Sequence, residues 1–348
     1  MSDILHLLAG TYTSGESKGI YIYRFNEQTG DTEYANMIEV ENPSYMVCCK
    51  KSKYVYAVSE NEGKTCYLNA FFFDKNKEDL TLLNRQPTDD GPCNVTADCN
   101  RFHILTANYG GGSINVFHVN TYGPLYESSQ LVKFKGSSID PERQKESHMH
   151  CVDYSPDHKY IFATDLGADK IYRFEVDSDN RDNYIKKKTQ KNFNITPGSG
   201  PRHFLFHPCG KYLYLINELS GTVTAFHYNN GDLEEFQTIE ADPHNGKASG
   251  DIEICPNGNF LYASNRDKGD GVAIFSIDHL DGRLTKIGHQ YTGAHPRNLL
   301  ISPNGKFLLV ACKDGKAIEI YTIDHNTGLL HNIQKDIEID QPVCLKFI

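Results

Sequence analysis

Pro208-Cys209-Gly210-Lys211-Tyr212-Leu213-Tyr214-Leu215-Ile216-Asn217-Glu218 reads as a tight turn feeding a short strand. Proline and glycine supply preset and positive φ, and the alternating aromatic and aliphatic side chains suit a pleated, half-buried surface. The pattern recurs about 50 residues apart along the chain, a period that belongs to solenoids and propellers. Lys53-Tyr54-Val55-Tyr56 ends at Glu60, and Arg101-Phe102-His103-Ile104 at Asn108. Lys159-Tyr160-Ile161-Phe162 ends at Asp165-Leu166, Asn259-Phe260-Leu261-Tyr262 at Asn265-Arg266, and Lys306-Phe307-Leu308-Leu309 at Cys312-Lys313; the first copy is Leu5 to Thr11. Short runs of β-branched and aromatic residues at this period predict an all-β fold, a seven-bladed β-propeller.

Each repeat predicts a four-stranded antiparallel blade. Pro256-Asn257-Gly258 and Pro303-Asn304-Gly305 are hairpin turns of the same kind as Pro208-Cys209-Gly210. Third strands follow at Val223 to Phe226, Val272 to Phe275 and Ile318 to Tyr321, and fourth strands follow turns such as Gly231-Asp232-Leu233 and Gly282-Arg283-Leu284. The chain opens at Ile4 on what is a second strand elsewhere, and its last residues, Pro342 to Ile348, resemble a first strand without a partner. The N- and C-terminal strands are therefore expected to share one blade and close the propeller without an exposed sheet edge. No Pro/Ser-rich linker interrupts residues 1–348, which predicts a single domain.

Composition narrows the function. A formal net charge of −10 argues against a nucleic-acid partner, because phosphate neutralisation needs a basic surface. The Lys186-Lys187-Lys188 run is expected to be solvated loop. No apolar run approaches the roughly 20 residues that span a bilayer, and Met1-Ser2-Asp3-Ile4 enters a strand without a signal peptide. Most of the ten cysteines fall singly in predicted strands, where a thiol acts as a small apolar filler, and no pair has zinc spacing. Cys48 and Cys49 are expected on opposite strand faces. These features predict a cytoplasmic protein, a monomer or weak homodimer, with no metal and no cofactor.

In a blade whose first strand lines the axis, the start of that strand and the end of the second lie on one face. Second-strand ends are Thr11, Glu60, Asn108, Asp165 or Leu166, Glu218, Arg266 and Lys313. First-strand starts are Ser44, Asn94, His148 or His150, Arg202 or His203, Asp251, and Arg297 beside His295. Arg202 and Glu218 could simply bridge their own hairpin. Gathered around one axis, however, Arg202, Arg266, Arg297, Lys313, His148 and His150 predict an electropositive pocket for a small anionic molecule. His103, His118, His207 and His227 fall elsewhere in their repeats and are expected to pack or face solvent. No Gly-x-Ser-x-Gly elbow or P-loop occurs, and Gly110-Gly111-Gly112 lacks the following helix a phosphate cradle needs. Carboxylates, histidines and arginines together suit acid/base chemistry on an acyl group.

Several strings make a family resemblance specific. Gly10-Thr11-Tyr12-Thr13, Ala107-Asn108-Tyr109-Gly110-Gly111-Gly112, Ser147-His148-Met149-His150, Thr164-Asp165-Leu166-Gly167-Ala168-Asp169, Gly200-Pro201-Arg202-His203-Phe204, Tyr262-Ala263-Ser264-Asn265-Arg266 and His295-Pro296-Arg297 resemble the seven-bladed propeller lactonase family. That family includes the propeller-type 6-phosphogluconolactonases and the 3-carboxy-cis,cis-muconate lactonising enzymes. The resemblance spans nearly the whole chain and implies metal-free hydrolysis of a phosphorylated sugar lactone in the pentose phosphate pathway. By resemblance, His148, Glu218, Arg202 and one of Arg266 or Arg297 match the residues the muconate branch uses. The division expected here gives catalysis to His148, Arg202 and Glu218, and substrate binding to His150, Asn108, Arg266, Arg297, Lys313 and Glu60. Lys313 departs from the family pattern, which places a glutamine there, and so bears on how an anionic substrate end is held. Alternatives are a carboxymuconate cycloisomerase, a non-catalytic interaction propeller, and a calcium-dependent lactonase using Glu60, Asn108, Asp165 and Glu218. The absence of tryptophan removes the Trp-Asp signature of one common interaction propeller, and neighbouring arginines would repel calcium.

Overall fold

A computed structural model describes residues 3–49, 53–61, 65–98 and 103–348; Met1, Ser2, Arg101 and Phe102 of the strings quoted above lie outside them. The described residues form seven antiparallel sheets and, apart from single helical turns at Arg181–Asn183 and Lys187–Thr189, no helix. The contacts fall into two compact units. The first contains the N-terminal residues to Ser17, Ile22–Ala35 and Arg202–Phe347; the second contains Lys18–Tyr21, Asn36–Pro201 and Ile348.

In the first unit the terminal strands meet as the sequence predicts. Pro342–Phe347 pairs antiparallel with Ile4–Thr11, from Leu7 opposite Phe347 to Thr11 opposite Pro342. Three further sheets begin at Pro201–Phe206, Ser249–Ile254 and Pro296–Ile301 and continue strand by strand outward. These first strands pack side by side: Ser249–Ile254 on Pro296–Ile301, and that on Pro342–Phe347. The last sheet departs from a uniform four-strand plan, since Leu330–Asn332 and Ile337–Glu338 pair separately with Ala317–Ile323. Between them Gln334 has φ 55° and its N–H donates to Asn332 Oδ1 at 2.6 Å, a side-chain-closed turn that interrupts the ladder. In the second unit Met46–Cys49, Pro92–Asp98 and Met149–Tyr154 open three sheets and likewise pack in succession.

The repeated aromatic pair and the repeated turn glycine form one interlocking device between neighbouring sheets. Tyr214 Oη donates to Gly282 O at 2.7 Å, Tyr262 Oη to Gly328 O at 2.8 Å, and Tyr56 Oη to Gly123 O at 3.0 Å. The other aromatic of each pair lies flat on the same glycine. A Cβ on Gly282 would sit 2.7 Å from the Tyr212 ring, and one on Gly328 2.4 Å from the Phe260 ring; both glycines also have positive φ. Tyr214 and Tyr262 are fully buried. Each latch satisfies a buried hydroxyl, worth about 1 kcal/mol net, and seats a ring in the apolar seam between sheets. One such seam combines Tyr214, Ile216, Val223 and Ala225 with Ile252, Leu261, Ala273 and Phe275.

The sequence-predicted turns are tight as expected, with Gly210 N–H donating to His207 O, Gly258 N–H to Cys255 O and Gly305 N–H to Ser302 O, each at 2.8 Å. Cys48 is half-buried and Cys49 buried, and eight cysteines are free. Cys49 is disulfide-bonded, so the expectation of reduced thiols fails there. Among the described residues no helix is long and apolar enough to cross a membrane.

Candidate active site

Within each unit, the first and second strands of a sheet meet with a local irregularity at the end where the chain enters the first strand. The register shifts between Ser249 and Ile252, between Pro296 and Asn298, and between Gly10 and Thr11 in the first unit. It shifts between Pro92 and Asn94 and between Met149 and Cys151 in the second. Bulges of this kind re-aim side chains and are common beside active sites. The last residues of the second strands, Thr11, Ser59, Asn108, Asp165, Asn217, Asn265 and Cys312, are all buried. The side chains that carry charge stand one residue further on, at Glu60, Glu218, Arg266 and Lys313.

The first unit brings Arg202, Glu218, Arg266, Arg297 and Lys313 into one cluster. Arg202, 2% exposed, enters from the strand Pro201–Phe206. Its Nε donates to Glu218 Oε2 at 2.9 Å and its Nη1 to Gly250 O. Arg266 Nη2 lies 3.3 Å from the same Glu218 oxygen, so one carboxylate orients two guanidiniums. Arg266 is held further by Nε donating to Ala248 O at 2.6 Å and Nη2 to Ser249 O at 3.0 Å. Burial lowers the Arg266 pKa to about 10; Glu218 opposes that shift, whereas Arg202 and Arg297 reinforce it. The guanidinium stays charged at neutral pH. Arg297 is half-buried, donates from Nη2 to Tyr12 Oη at 2.7 Å, and lies 5.2 Å from the centre of that ring.

His295 sits among these cations. Its Nε2 is 3.2 Å from Arg266 Nη1, and its carbonyl oxygen accepts from Lys313 N–H at 3.0 Å. Burial first, then Arg266, Lys313, Arg297 and Arg202, push its pKa down to about 3, leaving the ring neutral at physiological pH. Lys313 Nζ lies 3.2 Å from Asp314 Oδ1. Beside it is a shallow pocket of about 430 Å³ lined by Gly15, Glu16, Lys313, Asp314, Lys316, Asp340 and Gln341. Underneath, His203 Nδ1 is 2.7 Å from Asp251 Oδ1, and Asp251 Oδ2 accepts from Asn298 Nδ2 and, at 3.0 Å, from Leu299 N–H.

The second unit holds Glu60, Asn108, His148 and His150. His148 stacks on Tyr109, with ring centres 4.3 Å apart and planes 13° from parallel, and His150 meets the edge of the same ring at 5.4 Å. His148 Nδ1 is 3.0 Å from Tyr109 O; a carbonyl only accepts, so Nδ1 is the donor. The His148 backbone N–H is fixed by Asp165 Oδ1 at 2.8 Å. Asn108 is fully buried and donates to Ser113 Oγ and Asn115 Oδ1 within its own sheet. Glu60 is half-buried, its N–H donating to Asn42 O at 3.1 Å. The carboxylates in the calcium alternative are already engaged: Asp165 Oδ1 accepts three backbone N–H groups, from His148, Gly167 and Ala168, and Glu218 holds two guanidiniums.

Sequence reasoning passed over Tyr12 and Tyr109 as site residues. Both stand one residue beyond the end of a second strand, the offset already visible at Glu218, Arg266 and Lys313, so that shared position was the available signal. Of the four histidines set aside, His103 is buried and stacked on Tyr184 at 3.9 Å, His118 is buried, His227 is exposed beside Phe236, and His207 accepts Cys209 N–H within its turn.

Comparison with known proteins gives a consistent family. Residues 6–347 match the family model described as lactonase, 7-bladed beta-propeller. A 6-phosphogluconolactonase of Formosa agariphila is 35% identical over 342 residues, covering 96% of this chain and 97% of the relative. One from Bacillus subtilis is 32% identical and covers 97% of each chain. Among solved structures, a Bacteroides fragilis protein described as a candidate 6-phosphogluconolactonase superposes with TM-score 0.96 at 49% identity over 99% of this chain and 98% of its own. The Pseudomonas aeruginosa periplasmic gluconolactonase PpgL superposes with TM-score 0.93 at 29% identity over 99% of both.

Proposed function

The chain belongs to the seven-bladed β-propeller lactonase family, and from that premise we propose that the cation cluster of its first unit hydrolyses 6-phosphogluconolactone to 6-phosphogluconate. It is a lactone hydrolase, and the observation that supports the phosphorylated substrate is the gathering of Arg202, Arg266, Arg297 and Lys313 around His295 and Glu218 in a chain of net charge −10. Glu218 and Asp314 offset part of this charge, and the positive excess that remains suits an anionic ligand.

Attack of water on the lactone carbonyl moves the π electrons onto oxygen. Arg202, fixed by Glu218, is the donor aimed at that oxyanion, with Arg266 beside it. A preorganised donor of this kind contributes on the order of 3 kcal/mol. Glu218, committed to two guanidiniums, orients them. For proton transfer the sequence expectation names His148, with His150 beside it, whereas the cluster itself offers His295. Arg297 and Lys313 hold the phosphate, Arg297 as a planar fork and Lys313 as a point charge.

The test is acid release from 6-phosphogluconolactone against the spontaneous background, with the unphosphorylated lactone in parallel. The wild-type enzyme is expected to accelerate the phosphorylated substrate more. Lys313→Ala is expected to raise KM for that substrate about tenfold or more, since a hydrogen bond to a charged group contributes about 1.5–3 kcal/mol, while KM for the unphosphorylated lactone stays put. A rate no faster than background, or an equal change in both KM values, contradicts the assignment.

A further inference from the structure

His295 combines three features that packing alone does not require. Its backbone has φ 59°, a left-handed conformation uncommon for a residue with a Cβ and one that collects at active sites. That conformation is imposed from outside the residue: its N–H donates to Asp270 Oδ1 at 2.8 Å, and its carbonyl oxygen takes Lys313 N–H. The ring is poised as well. Nδ1 lies 3.2 Å from Asp314 Oδ2 and 3.7 Å from Asp267 Oδ1, while Nε2 faces Arg266 Nη1 at 3.2 Å. A guanidinium only donates, so the proton resides on Nδ1 and the lone pair on Nε2 points into the cluster. The side chain is partly open, 17% exposed.

We propose that His295 is a catalytic residue of this cluster, the general base that takes the proton of the attacking water and returns it to the leaving ring oxygen, an assignment that rests on the lactonase function above. The substrate carbonyl oxygen takes over the Arg266 N–H, which releases the Nε2 lone pair to water. As the water oxygen bonds to the carbonyl carbon, one of its protons passes to Nε2 and the carbonyl π pair becomes the oxyanion on Arg202 and Arg266. When the oxyanion re-forms its double bond, the ring C–O bond breaks. The departing oxygen then takes the proton from His295, giving the hydroxy acid and neutral imidazole. Arg266 faces Nε2 and Asp267 and Asp314 face Nδ1, while Arg202, Arg297 and Lys313 also act on the ring through their charge. The cations suppress its basicity, and a dianionic substrate neutralises them, so the base strengthens when that substrate is bound.

The experiment uses the full chain and 6-phosphogluconolactone, with wild-type turnover measured first; if wild type does not exceed background, the lactonase assignment itself has failed. His295→Asn keeps a residue that tolerates positive φ, and His295→Gly opens a ring-sized space beside Arg266 Nη1. Both variants are expected to lose about 10²- to 10⁴-fold in kcat with KM within about threefold and unchanged near-ultraviolet circular dichroism. Added imidazole is expected to restore turnover in His295→Gly and not in His295→Asn, a response that a scaffold role does not produce. Retention of kcat in His295→Asn, or loss in His295→Gly that imidazole does not relieve, overturns the proposal. His148→Asn, assayed alongside, is expected to fall short of the His295→Asn loss; the reverse order overturns it too.

Discussion

Arg202→Ala is expected to lower kcat for 6-phosphogluconolactone by about 10²- to 10³-fold, the cost of removing one preorganised oxyanion donor. The guanidinium is buried, 2% exposed, and its Nε is tied to Glu218 at 2.9 Å. Its position is therefore set before substrate arrives, which is what makes the contribution specific to the transition state. Glu218 keeps Arg266 as a partner in the variant, so the carboxylate is not stranded and the fold is expected to survive. KM should move much less than kcat. Arg202→Lys should not restore the rate, because an ammonium cannot hold Glu218 and Gly250 O with a rigid fork while still facing the carbonyl. Steady-state kinetics of the two variants decide this; kcat within about threefold of wild type in Arg202→Ala contradicts it.

Asp251→Ala is expected to destabilise the protein by on the order of 3 kcal/mol or more. The alanine leaves the His203 Nδ1–H, the Asn298 amide and the Leu299 N–H, all in the buried seam between first strands, without their acceptor, and each stranded donor costs about 1–3 kcal/mol. The loss spreads, since Asn298 Oδ1 in turn accepts Leu345 N–H at 2.7 Å on the strand that pairs with the N-terminus. The same pair makes stability pH-dependent. Burial, aided by Arg202, pushes His203 down to about 4 from about 6.5 in the unfolded chain. The unfolded state therefore binds more protons between these values, and stability is complete above pH 6.5 and lost as pH falls toward 4. Burial raises Asp251, but His203, the Leu299 N–H and Arg202 outweigh it and hold the carboxyl at about 2, so its own share disappears only between about pH 4 and 2. Both act in the same direction, and the histidine alone contributes on the order of 3 kcal/mol across its window. Urea unfolding of wild type at pH 7 and pH 5, with Asp251→Ala at pH 7, checks both parts. Equal wild-type stability at the two pH values contradicts the buried-neutral histidine.

The blades were legible because their packing writes itself into the sequence twice. Each Tyr-x-Tyr or Phe-x-Tyr pair needs a neighbouring turn glycine, as Tyr212 and Tyr214 need Gly282, so strand and turn recur with one period. The split fourth strand at Leu330–Asn332 and Ile337–Glu338 was not legible, because one side-chain-closed turn within a polar stretch decides it. At the candidate site, Arg202, Glu218, Arg266, Arg297 and Lys313 were legible from strand ends. The pairing of Asp251 with His203 and the poise of His295 were not. A bulge between Ser249 and Ile252, or between Pro296 and Asn298, shifts which neighbour faces inward by one residue, and no residue type announces it. The Arg202–Glu218 bridge expected within that hairpin is present, and the same carboxylate also reaches Arg266, so under the proposed function it orients the donor as well as bracing the hairpin.

The central claim is that the guanidinium cluster of the first unit is where the lactone is opened. A crystal structure of the protein with 6-phosphogluconate bound tests it most directly. The product carboxylate is predicted within hydrogen-bond distance of Arg202, with its phosphate on Arg297 and Lys313. Product bound in an ordered site that touches none of these three residues contradicts the account.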